Sequence, residues 1–233
     1  MGQNKQYKFS QIEKFENVFQ FDKTKKGQWA KAHFRNNHPI TLELACGKGE
    51  YSTGLGREFP NRNYIGIDIK GNRIYTGAKK ALEEGLQNVA FLRTRINQIT
   101  EYFDEGEVDE IWIIFPDPFL RDSKAKNRLT HQNFLSLYQK ILKPGGTIHL
   151  KTDSPPLYQF TLETIESVGA TVVSNWSDIY GKGLNTGALS IQTFYEKMHL
   201  EDGRQINYVS FTLPVTEIKP APKKAKVTDE VAE

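Results

Sequence analysis

The chain has 233 residues, 31 Lys and Arg against 28 Asp and Glu, and a net charge of +3. Hydrophobic residues at 38% and aromatics at 12% supply a sizeable core, and 25% charged residues is ordinary, so a wholly disordered chain is excluded. One α/β domain fits the length. The apolar run Ile111–Phe115 stops at Pro116, far short of the roughly 20 residues a membrane helix needs.

Residues 1–35 hold 8 Lys and Arg against 3 Asp and Glu, a net of +5, while the rest of the chain is near neutral. A basic arm ahead of a near-neutral body points to an anionic partner. Its lysines interleave with Tyr7, Phe9, Phe15, Phe19, Phe21 and Trp29, and short helical turns are expected there. The only cysteine is Cys46, so no internal disulfide forms, and no basic-then-apolar leader opens the chain. A cytoplasmic setting is the expectation.

The body begins near Ile40. Thr41–Ala45 reads as a short apolar strand entering Cys46-Gly47-Lys48-Gly49, and Glu50–Phe59 as a helix ended by Pro60-Asn61. Tyr64–Asp68 is a second strand. Ile74, Ala78, Ala81 and Leu82 carry helical spacing through Arg73–Glu84, which Gly85 closes. Val89–Leu92 and Glu110–Phe115 follow as strands. Asn133–Leu142 is a helix, Lys143–Gly146 a turn and Thr147–Lys151 a strand. Leu157–Val168 is a helix and Thr171–Trp176 a strand. Ser190–Lys197 and Gln205–Leu213 are expected to close the sheet as an antiparallel pair around Asp202-Gly203. Residues 214–233, rich in Pro, Lys and Ala, read as a disordered tail. Strands alternating with helices imply a mostly parallel sheet with helices on both faces.

In such a sheet the ligand sits at the carboxyl ends of the strands. After the first body strand the chain reads Glu43-x-Ala45-x-Gly47-x-Gly49, and Ser52 stands where a dinucleotide fingerprint needs its third glycine. A cofactor without a pyrophosphate fits better. Asp68, ending the second strand, is placed to accept both ribose hydroxyls, which suits NAD and S-adenosylmethionine alike. Glu43 discriminates, because a carboxylate there suits the cationic end of S-adenosylmethionine. Ile113–Phe119 then reads Ile-Ile-Phe-Pro-Asp-Pro-Phe. Two prolines stiffen the loop and hold Asp117 where ligands bind. A basic segment follows, Arg121–Leu129.

These features resemble the bacterial tRNA (guanine-N7-)-methyltransferases, over about residues 9–212. The likeness rests on Leu42-Glu43-Leu44 with the glycine pair, Gly66-Ile67-Asp68, the Phe-Pro-Asp-Pro run, Arg128-Leu129, Leu142–Gly146, Lys151-Thr152-Asp153 and Thr193-Phe194-Tyr195-Glu196. It implies a Rossmann-like class I methyltransferase fold: a mostly parallel, seven-stranded sheet, helices on both faces and an antiparallel C-terminal strand. It implies S-adenosylmethionine as cofactor and tRNA as partner, with methylation of a guanosine in the variable loop. Glu43, Gly47, Gly49, Asp68 and Asp117 match its cofactor side, with Asp117 between cofactor and guanine as the catalytic residue. Arg95 aligns with the family's adenine-side acid, and Asn97 is the nearest polar substitute. Arg121 stands where the family has a substrate-binding lysine, and Lys124, Lys126 and Arg128 continue the RNA-facing segment. Asp153, Thr193, Phe194, Tyr195 and Glu196 match the substrate side, with Thr193 and Glu196 expected to face substrate from a strand. Asp153 could equally cap the helix that follows. No membrane contact, no metal and a monomer or weak homodimer are expected. The competing readings are a small-molecule methyltransferase, a tRNA-binding protein without catalysis and, more distantly, a dehydrogenase.

Overall fold

A computed structural model describes residues 2–222; Met1 and residues 223–233, the latter half of the expected tail, lie outside the described residues. The chain opens with helix α1 (Gly2–Ile12), strand β1 (Val18–Gln20) and a π-helical turn, Ala30–Phe34. Next come β2 (Ile40–Leu44), α2 (Glu50–Glu58), β3 (Asn63–Asp68), α3 (Gly71–Glu83), β4 (Val89–Arg93), a 3-10 turn at Ile96–Glu101 and β5 (Val108–Ile114). A second 3-10 turn, Asp122–Asn127, precedes α4 (Gln132–Ile141), β6 (Leu142–Thr152), α5 (Pro155–Ser167) and β7 (Thr171–Trp176). A third, Gly187–Ser190, leads to α6 (Phe194–Glu201) and β8 (Asn207–Thr212).

The strands form one sheet in the order β1-β4-β3-β2-β5-β6-β8-β7. β8 runs antiparallel to β6 and β7, and the remaining pairs are parallel. From β2 the chain steps outward through β3 and β4, then crosses to the other side of β2 for β5 and β6. Such a reversal opens a crevice at the carboxyl ends of the two central strands.

Side-chain alternation divides the core in two. Leu42, Leu44, Ile65, Ile67, Ile111 and Ile113 pack with Leu135, Tyr138 and Ile165 of α4 and α5. Tyr64, Phe91, Trp112 and Tyr208 face the other way, toward Tyr51, Leu55 and Ile74 of α2 and α3. Glu43 lies between Leu42 and Leu44 and so shares this second face. The Ser154 hydroxyl caps α5, accepting from Leu157 N at 3.4 Å, with prolines in the first helical turn. Asp153 therefore does not serve as that cap.

Three expectations change. The stretch 190–197 is not a strand: the Thr193 hydroxyl caps α6, accepting from Glu196 N at 3.2 Å. Glu196 through Glu201 then supply helix-forming residues without strand alternation. β8 takes its antiparallel partners from β6 and β7 instead. The body strands β2 to β8 make the expected seven, and β1 adds an eighth by pairing Val18 with Phe91. The residues carrying β1 are thus built into the body. Phe15 stacks on Tyr75 at 5.6 Å, and the Arg93 guanidinium sits 4.7 Å from the Phe9 ring and 5.1 Å from that of Phe21. Finally, residues 214–221 lie fastened on α4. Gln139 donates to Pro214 O and Thr216 O and accepts from Ile218 N, while Ala221 N donates to Asn133. Ile218 is buried.

Candidate active site

At the carboxyl ends of β2 to β5 lies a pocket of about 500 Å³. Asp68, Arg95, Asn97 and Asp117, expected from the sequence, all line it, together with Thr94 and Phe115. Lys70 and Arg73 add positive charge to its rim. Of the residues missed in the sequence, Lys70 and Arg73 could have been found by counting beyond Asp68 into the helix start. Thr94 and Phe115 carry no such signal.

The Asp68 carboxylate is aimed by two backbone amides. Gly47 N donates to one oxygen at 3.0 Å and Lys70 N to the other at 2.8 Å. A carboxylate has about four acceptor positions, so capacity remains for a diol. The Gly47–Gly49 loop is thereby tied to the second strand. Both glycines have positive φ, +55° and +67°. At Gly49 a side chain would also lie 2.4 Å from the Phe91 ring, so the residue fits by size as well as by conformation. Gly77 of α3 has the same tightness, its hypothetical Cβ 2.6 Å from Lys48 O. The two glycines let α3 press against the loop.

Three residues other than glycine with positive φ border the pocket: Ala45 at +57°, Phe115 at +46° and Phe119 at +42°. Left-handed backbone at such residues is costly and collects at functional sites. Here it bends the ends of β2 and β5 around one opening.

Glu43 does not line the pocket. It is buried beneath α2, where Ser52 donates to it from both its backbone N, at 2.8 Å, and its hydroxyl. Burial pushes its carboxyl up to about 8, against the two Ser52 hydrogen bonds, with Glu50 and Asp68 adding to the rise. The serine that breaks the dinucleotide fingerprint is thus the partner of the glutamate. Gly66 makes room for this, since a Cβ there would lie 2.9 Å from the Ser52 hydroxyl.

Asp117 is exposed, on a loop pinned from three sides. Phe115 N donates to Lys151 O at 2.9 Å, and Phe119 N donates to the Asp117 carboxylate at 3.0 Å. Arg128 donates to Pro118 O at 3.1 Å and to Phe119 O at 3.0 Å. Arg128 is buried with its guanidinium 4.4 Å from the Phe160 ring, so it braces the loop and does not face solvent. Arg121, Lys124 and Lys126 do face solvent along the Asp122–Asn127 turn.

Across the opening, Asp153 is held by Arg204 at 2.7 Å, with His199 3.6 Å from the same oxygen. The Thr193–Glu196 stretch divides differently from the strand expectation. Thr193 and Glu196 are buried, and Phe194 and Tyr195 are each 48% exposed. Phe194 lies under the Lys48 ammonium at 4.5 Å, and its backbone N donates to Glu50 at 3.0 Å. Tyr195 stacks on His199, whose ring lies 5.6 Å from that of Phe115. Glu196 meets the ammonium of Lys151 at 2.6 Å in the core.

A nucleoside fits what is present. The pocket offers an aimed carboxylate for the ribose, apolar walls from Ile69, Ile96 and Leu129, and the Thr94 hydroxyl, buried without a protein partner. Among the described residues no cluster of His, Cys, Asp and Glu has metal-binding arrangement, and no helix is long and apolar enough to cross a membrane.

Residues 37–207 match the model of a family described as "Putative methyltransferase". A tRNA (guanine-N(7)-)-methyltransferase of Porphyromonas gingivalis is 51% identical over 209 residues, covering 89% of this chain and 83% of that protein. A protein of the same name from Lactococcus lactis is 35% identical over 181 residues, covering 78% of this chain and 82% of its own. Among solved structures, the 16S rRNA methyltransferase KamB shares the fold with a TM-score of 0.62 over 85% of this chain and 99% of its own, at 13% identity.

Proposed function

The chain belongs to the tRNA (guanine-N(7)-)-methyltransferase family, and on that premise we propose that it methylates N7 of a guanosine in the variable loop of tRNA, using S-adenosylmethionine. The observation that carries this is the pairing of Asp68 and Asp117 on one pocket at the sheet's reversal point, in a chain with such relatives. We further infer a cytoplasmic enzyme that needs no metal and works as a monomer or weak homodimer.

S-adenosylmethionine, when bound, would supply a sulfonium methyl, to whose carbon a lone pair can bond as the carbon–sulfur bond breaks and the sulfur leaves as a neutral thioether. Guanine N7 has such a lone pair in the ring plane and carries no proton, so no base is needed to start the reaction. The protein's task is placement, which can be worth roughly 7–11 kcal/mol. Asp68, aimed by Gly47 and Lys70, takes the ribose hydroxyls. Arg95 and Asn97 flank the adenine side, and Thr94 offers it a hydroxyl. Glu43 acts from below by holding the first turn of α2, so that Gly47 and Gly49 keep their loop. Methylation leaves positive charge on the base. Asp117 stabilises that charge and accepts hydrogen bonds from the ring N–H and amino groups of guanine. Asp153 supports it from the neighbouring strand end. Phe194 and Tyr195 offer faces on which bases stack. Arg121, Lys124 and Lys126 take phosphates, which give affinity without reading sequence.

The test is mass spectrometry of tRNA nucleosides after incubation with methyl-labelled cofactor. Label in 7-methylguanosine is the expected result. Label in another nucleoside, or none in tRNA, overturns the reading.

A further inference from the structure

Lys151 lies on β6 with no exposed surface. Lysine side chains ordinarily carry their ammonium out to water. This one stays in the core, with its ammonium 5.7 Å from the Tyr51 ring. Its three N–H donors meet three acceptors: Glu196 Oε1 at 2.6 Å, Leu189 O at 3.0 Å and Ile191 O at 3.2 Å. All three acceptors belong to the stretch 187–196. The Tyr180 hydroxyl donates to the same Glu196 oxygen at 2.8 Å and accepts from Gln192 at 3.0 Å. Burial pulls the lysine below its usual value, with Glu196 opposing.

A buried ion pair is weak evidence for stability, since apolar residues of similar volume often do as well. Its better-supported use is to select one arrangement among several. The stretch 187–196 needs such a device. It pairs with no strand, and it carries Phe194 and Tyr195 outward. The same lysine also has a backbone role, because its carbonyl accepts from Phe115 N at the root of the Asp117 loop. One residue thus contacts both segments, the root of the Asp117 loop by its backbone and the stretch that carries Phe194 and Tyr195 by its side chain.

We propose that Lys151 is a positioning residue of the methyl transfer: it fixes Phe194 and Tyr195 relative to the Asp117 loop and so sets where the guanosine rests. The proposal rests on the methyl-transfer reading above. It predicts that removing the ammonium loosens the segment and misplaces the base, while the cofactor pocket is undisturbed.

The experiment compares wild type with Lys151→Met, Glu196→Gln and the double variant Lys151→Met/Glu196→Gln, which strands no buried charge. All are assayed where circular dichroism shows full folding, so that lost stability alone cannot lower turnover. For Lys151→Met the expected results are kcat/KM for tRNA down at least 30-fold and S-adenosylmethionine affinity by calorimetry within twofold. Hydrogen–deuterium exchange should rise in residues 187–196. The double variant should fall at least tenfold below Glu196→Gln alone. Turnover within threefold of the matching reference, or unchanged exchange, overturns the proposal. Loss of fold in both Lys151 variants overturns it too, since the residue then serves the fold. A wild-type chain that forms no 7-methylguanosine instead overturns the reaction reading. The exchange data then report the tether by itself.

Discussion

Two buried carboxylates on one face of the sheet, Glu43 and Glu196, are handled in opposite ways. Glu43 belongs to the half that surrounds the cofactor pocket. Its partner Ser52 is nine positions along the chain and brings hydrogen bonds but no charge. Glu196 belongs to the half that carries the exposed Phe194 and Tyr195, the proposed substrate side. Its partner is an ammonium delivered from a strand that lies far off in sequence. The first half is assembled by local connections, strand to glycine loop to helix. The second is assembled by tertiary contact alone. The contrast predicts that damage to the first half shows in cofactor affinity and pH response, and damage to the second in turnover on tRNA.

The largest expected effect is at the seam between the halves. Asp117→Asn keeps the hydrogen bond to Phe119 N and removes the charge. Turnover should fall on the order of 10²–10³-fold, the loss typical of removing one preorganised electrostatic group. S-adenosylmethionine affinity should stay within twofold by calorimetry. If affinity falls in step with turnover, Asp117 belongs wholly to the cofactor half and the division is misplaced.

Glu43 gives the next largest effect, read as stability against pH. Its folded carboxyl is raised to about 8, above the ordinary value of 4.5. Between these values the folded chain keeps a proton that the unfolded chain has released. Stability therefore falls as pH rises through that window and levels off above it. Glu43→Gln has no proton to lose. Urea titrations at pH 6 and pH 9 should show wild type losing roughly 2–3 kcal/mol more than the variant. Equal losses would mean that Glu43 releases its proton over the same pH range in the folded chain as in the unfolded one.

Legibility in the sequence follows the same division. Glu43, Gly47, Gly49 and Asp68 stand within one strand–loop–helix–strand unit, so spacing alone placed them at one strand end. Even there, spacing does not tell an open position from a buried one, and Glu43 lies buried beneath α2 against Ser52. Thr193 to Glu196 were misread as a strand because Phe194 and Tyr195 favour strands locally, while the cap on Glu196 N and the pull of Lys151 favour a helix. Lys151 is not legible as a site residue beside Asp153, since a lysine between apolar strand residues looks solvent-facing until its acceptors are known. Arg128 was read with its basic neighbours as RNA-facing. Its actual target, the carbonyls of Pro118 and Phe119, is a loop geometry that no residue pattern announces.

Asp68→Asn sharpens the cofactor half. Hydrogen bonds to a charged group contribute about 1.5–3 kcal/mol, so calorimetry should show S-adenosylmethionine affinity down roughly tenfold to a hundredfold. The KM for tRNA, measured at saturating cofactor, should hold steady; a rise in that KM would mean that the two halves share this carboxylate. Arg128→Met tests the brace under the Asp117 loop, with turnover expected to fall about tenfold, or 1.4 kcal/mol. The slope of log affinity for tRNA against log salt should not change, because the guanidinium is spent on carbonyls. A slope lowered by about 1 would mark Arg128 as a phosphate contact after all.

The smallest expected effect concerns the basic N-terminal residues, and the structure alters how it must be tested. Removing the first 20 residues would delete β1 and strip Arg93 of Gln20 and Phe9, so the fold itself would suffer. Removing residues 1–12 takes only α1. That helix carries Lys5 and Lys8, and its Tyr7 is 55% exposed against the edge of Tyr75. Each phosphate contact in a duplex contributes about 0.9 to the salt slope. Loss of two lysines should therefore flatten the slope by about 2 and weaken tRNA binding several-fold at low salt. Ile12 and Phe9 reach Gly71 at the start of α3, next to Lys70 on the pocket rim. Their loss should lower the melting midpoint by several degrees, since burying such a side chain is worth about 1.5–3 kcal/mol and each kcal/mol shifts the midpoint of a domain this size by about 2–4 °C. Cofactor affinity separates the two outcomes. If it holds while the salt slope flattens, α1 is an electrostatic handle for RNA laid on a finished pocket. If it drops together with the melting midpoint while the slope stays fixed, α1 is a structural wall of the cofactor half, and the phosphate contacts fall to Arg121, Lys124 and Lys126.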